Sequence, residues 1–254
     1  YYKRDILSTG LKGDFNINGY QLTSVSSYQL LEDYQDVDQD FMPQDIIYVT
    51  QDRSHHMMAQ EINLSNPEDQ RLQFVTGLFG FYQMKDKQVD AFYGEDAIDV
   101  IRAPEMHKNK MYDKATGGFA AFGQVSYHNF LIDHLKATAG LRYDYEFSKL
   151  DYIYFLNMNG NQRKPDDFVH KVTYPEILPK MSLHYRWNDQ LVQYASFTKG
   201  YISGGFNSTF ERKEDQTYLP EYSLNYETGM KWSSKYLNAS LSAYNINMRD
   251  KQVY

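Results

Sequence analysis

Apolar and polar residues alternate with period two through most of this chain, and that pattern commits it to extended structure. From Leu135 the odd positions read Leu135, Ala137, Ala139, Leu141, Tyr143, Tyr145 and Phe147, while the even positions read Lys136, Thr138, Gly140, Arg142, Asp144 and Glu146. Successive side chains of a strand point to opposite faces, so this segment has one apolar and one polar face. Likewise Met181, Leu183, Tyr185 and Trp187 oppose Lys180, Ser182, His184 and Arg186. Tyr222, Leu224, Tyr226, Met230 and Trp232 oppose Ser223, Asn225, Glu227 and Lys231. After Tyr236 the phase inverts at Ala243–Tyr244, which predicts a β-bulge there.

Extending this reading predicts about ten strands, at 7–16, 20–35, 55–65, 71–85, 116–128, 133–148, 172–187, 190–203, 221–233 and 236–253, with no helical stretch. Short turns rich in Asn, Gly, Pro, Asp and Ser fall at Ile17–Gly19, Asn66–Gln70, Asn129–Ile132, Asn188–Asp189 and Ser234–Lys235. Long polar connections are expected between them, at 36–54, 86–115, 149–171 and 204–220. A soluble β-sandwich also gives alternating strands. A strict order of short and long connections is what a transmembrane antiparallel up-and-down β-barrel requires, with short periplasmic turns and longer outward loops. An all-β transmembrane barrel is therefore the expected fold, with Leu141, Leu183 and Leu224 facing lipid and Arg142, His184 and Asn225 facing inward.

Composition enters at this point. The 254 residues include 24 tyrosines and 15 phenylalanines, and Tyr suits a boundary where one end of the ring is apolar and the other wet. A mean hydropathy of -0.67 argues against helical spans but not against strands that show lipid only one face. The net charge of -7 excludes general nucleic-acid binding, which needs a basic face. With no cysteine there is no disulfide, thiolate metal site or cysteine nucleophile.

Catalytic patterns are missing. There is no Gly-x-Ser-x-Gly elbow, no His-Glu-x-x-His and no P-loop. The adjacent pair His55–His56 projects to opposite faces of a strand and suits no single metal ion. No enzyme activity, metal or cofactor is expected, and an outer-membrane protease or lipase is disfavoured for want of a nucleophile.

Several segments resemble one family in order along the chain. The stretch Tyr194-Ala195-Ser196-Phe197-Thr198-Lys199-Gly200-Tyr201-Ile202-Ser203-Gly204-Gly205-Phe206-Asn207 is similar to the Y-x-S-x-x-K-G-[FY]-x-S-G-G-F-N stretch of TonB-dependent receptor barrels. Pro220-Glu221 with Tyr226-Glu227-Thr228-Gly229-Met230-Lys231 resembles the family's P-E and Y-E-x-G-x-K. Ala243-Tyr244 with Asp250-Lys251-Gln252 resembles its F-Y and D-x-Q. Earlier matches are Gln60-Glu61-Ile62-Asn63-Leu64, Gly77-Leu78-Phe79-Gly80-Phe81, Ala121-Phe122-Gly123-Gln124 and Gly140-Leu141-Arg142-Tyr143-Asp144.

The resemblance implies a 22-stranded barrel filled by a plug, of which residues 1–254 are a partial barrel without the plug, the TonB-contacting segment and the remaining strands. It implies residence in the outer membrane of a Gram-negative bacterium, with outer-membrane lipid around the barrel. It also implies TonB as partner and energised uptake of a scarce, bulky solute, foremost a ferric siderophore. Haem, cobalamin or a glycan, taken up the same way, and a passive porin or structural barrel remain the alternatives. Arg102, His107, Tyr112 and Arg163, in the two longest expected loops, are the candidate ligand contacts. The motif residues of interest are Lys199, Gly200, Tyr201, Ser203, Gly204, Gly205, Phe206, Asn207, Glu221, Tyr226, Glu227, Gly229 and Lys231.

Overall fold

The computed structural model describes residues 1–67, 69–207 and 216–252. Ten strands form one antiparallel sheet. They are β1 (Tyr2–Ile17), β2 (Tyr20–Asp38), β3 (Ile47–Ser65), β4 (Leu72–Tyr93), β5 (Met106–His128), β6 (Leu135–Met158), β7 (Asn161–Arg186), β8 (Leu191–Ile202), β11 (Glu221–Ser233) and β12 (Asn238–Arg249). Each pairs with the next along the chain, and a two-residue ladder of β9 (Gly205–Phe206) on β10 (Thr217–Tyr218) sits in the β8–β11 connection. The sheet is a meander with β1 and β12 at its two open edges.

The sheet has no conventional core. Buried apolar side chains among the described residues are Ile46, Ala97, Ala120, Leu150 and Tyr152. Leu78 is 61% exposed, Leu141 56%, Met181 59% and Leu183 48%, and no second sheet covers them among the described residues. A sandwich buries this face, so the sandwich alternative fails on it. The ladder puts Leu141, Leu183 and Leu224 on that apolar face, with Leu224 half-covered rather than open. Arg142, His184 and Asn225 lie on the polar face.

The connections correct the expectation. At one end they are short, as expected. At the other, residues 39–46 and 94–105 form loops, but β6 and β7 meet across Asn159–Gly160 alone. Both turn residues have positive φ, 53° and 75°, the Asn-Gly hairpin turn whose twist matches its strands. Hairpin height therefore alternates throughout, carried by strands of up to 26 residues, and loop length follows it except at Asn159–Gly160. The extra strand lies in segments where charged and apolar residues fall on both faces, as in Leu150-Asp151-Tyr152-Ile153-Tyr154-Phe155-Leu156, so period two does not reveal it; backbone ladders and packed rings such as Tyr112, Tyr152 and Phe168 hold it.

Three further differences have local causes. A short helix, α1 (Ala97–Ile101), forms where Ala97 packs fully buried and Asp96 accepts the Asp45 backbone N–H at 2.9 Å. The ladder of β11 on β12 runs from Tyr222↔Arg249 to Ser233↔Asn238 without a bulge at Ala243–Tyr244. The unbroken register puts Tyr244, Ile246 and Met248, all three exposed on this edge strand, on the lumen side with Asn225 and Glu227. The register shift instead falls at Tyr154/Leu156, opposite Lys164 and Pro165, where proline has no ladder N–H to give. Val253, the end of the last expected strand, lies outside the described residues.

Candidate functional site

About ten residues from each short turn suffice to cross a bilayer. The outward rings Tyr82, Tyr143 and Phe147 fit the upper boundary of such a band, and the rungs beyond them stand clear of it. On these upper rungs the two faces sort by charge. Register places Arg53 of β3, Lys85 and Lys87 of β4, and Lys108, Lys110 and Lys114 of β5 on the lumen face. The opposite face carries Asp52, Asp86, Asp90, Asp113 and Asp151.

Aromatic rings interleave with the lumen cations. Lys87 Nζ lies 5.7 Å from the Tyr112 ring centroid, Lys110 Nζ 5.7 Å from that of Tyr154, and Lys108 Nζ 4.5 Å from that of Tyr93. Tyr112 packs on Tyr152 at 5.0 Å, and Tyr152 on Phe168 at 4.9 Å. Phe206, carried in from the β8–β11 connection, lies 5.5 Å below the Lys114 ammonium. A cavity of about 360 Å3 opens among Arg4, Arg53, His55, Lys85, Lys87, Tyr112, Lys114, Leu150 and Phe206.

Five lysines and arginines, one histidine and two carboxylates line that cavity, and the Asp86 carboxylate belongs to the opposite face. Asp33 is the counter-ion within it; Arg4 Nε donates to its Oδ2 at 3.1 Å and Arg53 Nη2 stands 3.9 Å away. Asp33 Oδ1 and Arg53 Nε are buried without a hydrogen-bond partner among the described residues. Burial, with Arg53 and Lys110 nearby, holds the Lys87 ammonium below the ordinary lysine value. Burial and Lys85 do the same to Lys114. Burial also raises the Tyr112 phenol, leaving it a neutral donor. The site can therefore receive an anion and stack against its rings.

A larger cavity, about 680 Å3, is lined by Glu32, Asp52, Asp86, Asp113 and Asp151 of the acidic face and also touches Arg53, Lys87 and Tyr112. Most of its lining belongs to the face away from the lumen, so size does not make it the route for cargo. Burial, then Asp86 and Asp151, push the Asp113 carboxyl above the usual carboxylate range.

Of the residues expected to touch ligand, Tyr112 alone joins the basic lumen cluster. It lies in β5, not in a loop. His107 is also in β5 but on the acidic side, stacked on Phe92 at 4.4 Å and 2.6 Å from Asp90 Oδ1. Arg102 is an exposed left-handed cap on α1, and Arg163 is exposed at the tip of the β6–β7 hairpin. Sequence reasoning missed Arg53, Lys85, Lys87 and Lys114. The spacing Lys108-x-Lys110-x-Tyr112-x-Lys114 was the available signal, since period two puts all four on one strand face.

The motif residues build the support for Phe206. Pro179 precedes the rung Lys180↔Thr198, where the β7–β8 ladder stops. Through the split above it Lys199 Nζ donates to Glu176 Oε2 at 2.9 Å and the Tyr222 hydroxyl to Glu176 Oε1 at 2.6 Å, beside Tyr201. Gly204 is wedged so tightly that a Cβ would lie 2.3 Å from Tyr218 O and 2.5 Å from the Tyr174 hydroxyl. Gln252 Nε2 ties Ser203 O to Leu219 O, and its N–H donates to buried Glu221 at 2.9 Å. Asn207 N–H donates to Gln216 O at 2.9 Å, which together with β9 on β10 closes the base of the loop around Gly205 and Phe206. Lower down, the Tyr194 hydroxyl donates to Glu227, Lys231 lies over the Tyr194 ring, Gly229 makes room for that ring, and Tyr226 packs on Phe197. Gly200, paired with Ser223, completes the strand.

The family model described as "TonB dependent receptor-like, beta-barrel" matches residues 1–254. The chain belongs to this family. It is thus part of an outer-membrane β-barrel of a Gram-negative bacterium, and the relatives are transport receptors rather than enzymes. The pesticin receptor of Yersinia enterocolitica serotype O:8 / biotype 1B is 22% identical over 257 residues, covering 100% of this chain and 35% of that protein. The Yersinia pestis pesticin receptor matches at the same identity and coverage. The chain therefore spans about a third of the length of these relatives. Among solved structures, the ferric yersiniabactin uptake receptor FyuA from Yersinia pestis superposes with a TM-score of 0.79 at 19% identity, over 100% of this chain and 37% of that one. The ferric citrate transporter FecA gives 0.63 at 13% identity, over 97% of this chain and 34% of that one. At such identities the likeness is one of fold.

Proposed function

We propose that this chain supplies part of the barrel wall of a TonB-dependent importer whose cargo is an anionic, ring-bearing metal chelate, most simply a ferric siderophore. The basic and aromatic lumen face around Lys87, Tyr112 and Lys114 is the observation that carries the reading. An anion entering there relieves the mutual repulsion of the cations and gives Arg53 Nε an acceptor, while the rings of Tyr112, Tyr152 and Phe206 stack on its planar parts. Relatives named for ferric yersiniabactin and ferric citrate support the same class of cargo. In this reading the plug, the TonB-contacting segment and the remaining strands come from the rest of a longer chain. The plug closes the lumen until TonB, energised from the inner membrane, moves it.

Uptake of iron-55 carried by catecholate, phenolate, citrate and hydroxamate chelators, in cells expressing the whole gene, tests this directly. Uptake of one anionic chelate is expected and should vanish when the inner-membrane energising partner is deleted. Persistence of uptake without that partner makes the barrel a passive pore instead.

A further inference from the structure

The lipid-facing side of the sheet carries a depression that its general apolar character does not explain. On two consecutive outward rungs next to the short turns, Ala137 and Ala195 flank Leu183, and Ala139 lies between Val125 and Met181. Higher rungs of the same face carry Leu141, Tyr143 and Phe119. The small side chains leave an apolar groove of about 570 Å3, floored by Ala137, Ala139 and Ala195 and walled by Tyr127, Met181 and Phe197. Just outside the lining, against the wall residue Tyr127 on the side of the short turns, stands Arg71. Its Nε donates to His128 O and its Nη2 to Asn129 O, both at 2.9 Å, and its guanidinium carbon lies 4.8 Å from the Tyr127 ring centroid. Two backbone carbonyls thus fix this arginine at the groove, and it makes no ion pair among the described residues.

We propose that this groove and Arg71 form a binding site for one glycerophospholipid of the periplasmic leaflet, an acyl chain lying over the alanines and the phosphate against Arg71. The depth of the groove in the membrane selects hydrocarbon as its filling. A cation at headgroup level without an ion pair among the described residues selects an anionic phosphate over an uncharged lipid. Lipid that seats here bridges β5 to β8 across the alanine floor, where the side chains of the sheet are small. The inference rests on the outer-membrane location and not on the identity of the cargo.

The whole receptor, purified and exchanged into a mild detergent, should retain phosphatidylethanolamine detectable by native mass spectrometry. Titration of delipidated receptor with palmitoyl-oleoyl phosphatidylethanolamine and with the matching diacylglycerol separates the two parts of the site. Diacylglycerol should bind at least tenfold more weakly. Ala139→Phe, which fills the groove, should lower phospholipid occupancy at least tenfold, with folding checked by the heat-dependent shift in gel mobility. Arg71→Gln, at an exposed turn, should lower it about fivefold and leave the barrel folded. Equal occupancy in wild type and Ala139→Phe, or equal binding of the two lipids, overturns the proposal. Should Ala139→Phe fail to fold, Arg71→Gln and the lipid comparison decide.

Discussion

Replacing Lys87 or Lys114 by glutamine separates a binding role from a structural one, because the two roles predict effects of opposite sign. In the ligand-free protein each ammonium is held below its usual pKa by burial and neighbouring cations, so its charge is a cost to the fold. Glutamine keeps most of the stem packed on Tyr112 or Phe206 and removes the charge. Ligand-free stability is then expected to rise by a few tenths to about 1 kcal/mol, the usual size of a partly solvated charge interaction. Binding should move the other way. A hydrogen bond to a charged partner is worth about 1.5–3 kcal/mol, and each 1.4 kcal/mol is about tenfold in Kd. Each single substitution should therefore weaken binding of the preferred ferric chelate roughly tenfold to a hundredfold. Equilibrium binding of the iron-55 chelate to outer membranes gives the affinity, and urea titration of folded barrel in vesicles gives the stability. The sign also fixes the pH dependence. A lysine with a lowered folded pKa carries its full penalty below that pKa and sheds it as pH rises toward the ordinary 10.5, so stability should climb and binding weaken over that interval. Unchanged affinity together with lost stability in both variants refutes the reasoning.

Other perturbations probe other parts of the account. Leu141→Arg, on the lipid face, should cost about 2–4 kcal/mol if it lies near the bilayer midplane, read by folding titration into vesicles; a cost near zero removes that residue from the membrane. Gly204→Ala should lower stability by about 1–3 kcal/mol, since the new methyl meets Tyr218 O and the Tyr174 hydroxyl, and should loosen Phe206 enough to weaken chelate binding as well. Asp113→Asn should be more stable than wild type at pH 7, because burial, Asp86 and Asp151 disfavour the carboxylate. That advantage should shrink as pH falls through the raised pKa and be gone below the ordinary 3.8, where the wild-type carboxyl is protonated in both folded and unfolded chains.

The membrane part of the fold was legible because lipid on one side and a polar lumen on the other force strict alternation, as from Leu135 to Phe147. Above the membrane that force disappears. Met106–Ala115 and Lys149–Lys171 mix charged and apolar residues on both faces, as in Leu150 to Leu156, so they read as loops although β5, β6 and β7 run through them as strand. Asn159-Gly160 was the sign that the second of these is a tight hairpin. Of the site, Tyr112 is a candidate from its place in an expected loop, whereas the lysines around it gain meaning only from the cross-strand register that gathers β3, β4 and β5. Arg102, His107 and Arg163 were chosen by the same logic of loop position, and they scatter to a helix cap, the acidic face and a hairpin tip. The motif residues were recognisable as a set, yet their part in carrying Phe206 beneath Lys114 depends on contacts with Tyr174, Glu176 and Gln252 that spacing does not reveal.

The absence of cysteine from these 254 residues permits a direct test of whether the basic face is the one that meets cargo. Single cysteines placed in turn from Lys85 to Gln88 and from Lys110 to Lys114, in the otherwise intact receptor, can be labelled with a water-soluble maleimide with and without the ferric chelate. Substitution by cysteine also removes a lysine at four of these positions, so labelling is compared at chelate concentrations that saturate each variant. Protection with period two is expected, strong at positions 85, 87, 112 and 114 and absent at 86, 88, 111 and 113. Protection without alternation, or confined to the positions beside Asp86 and Asp113, contradicts the account.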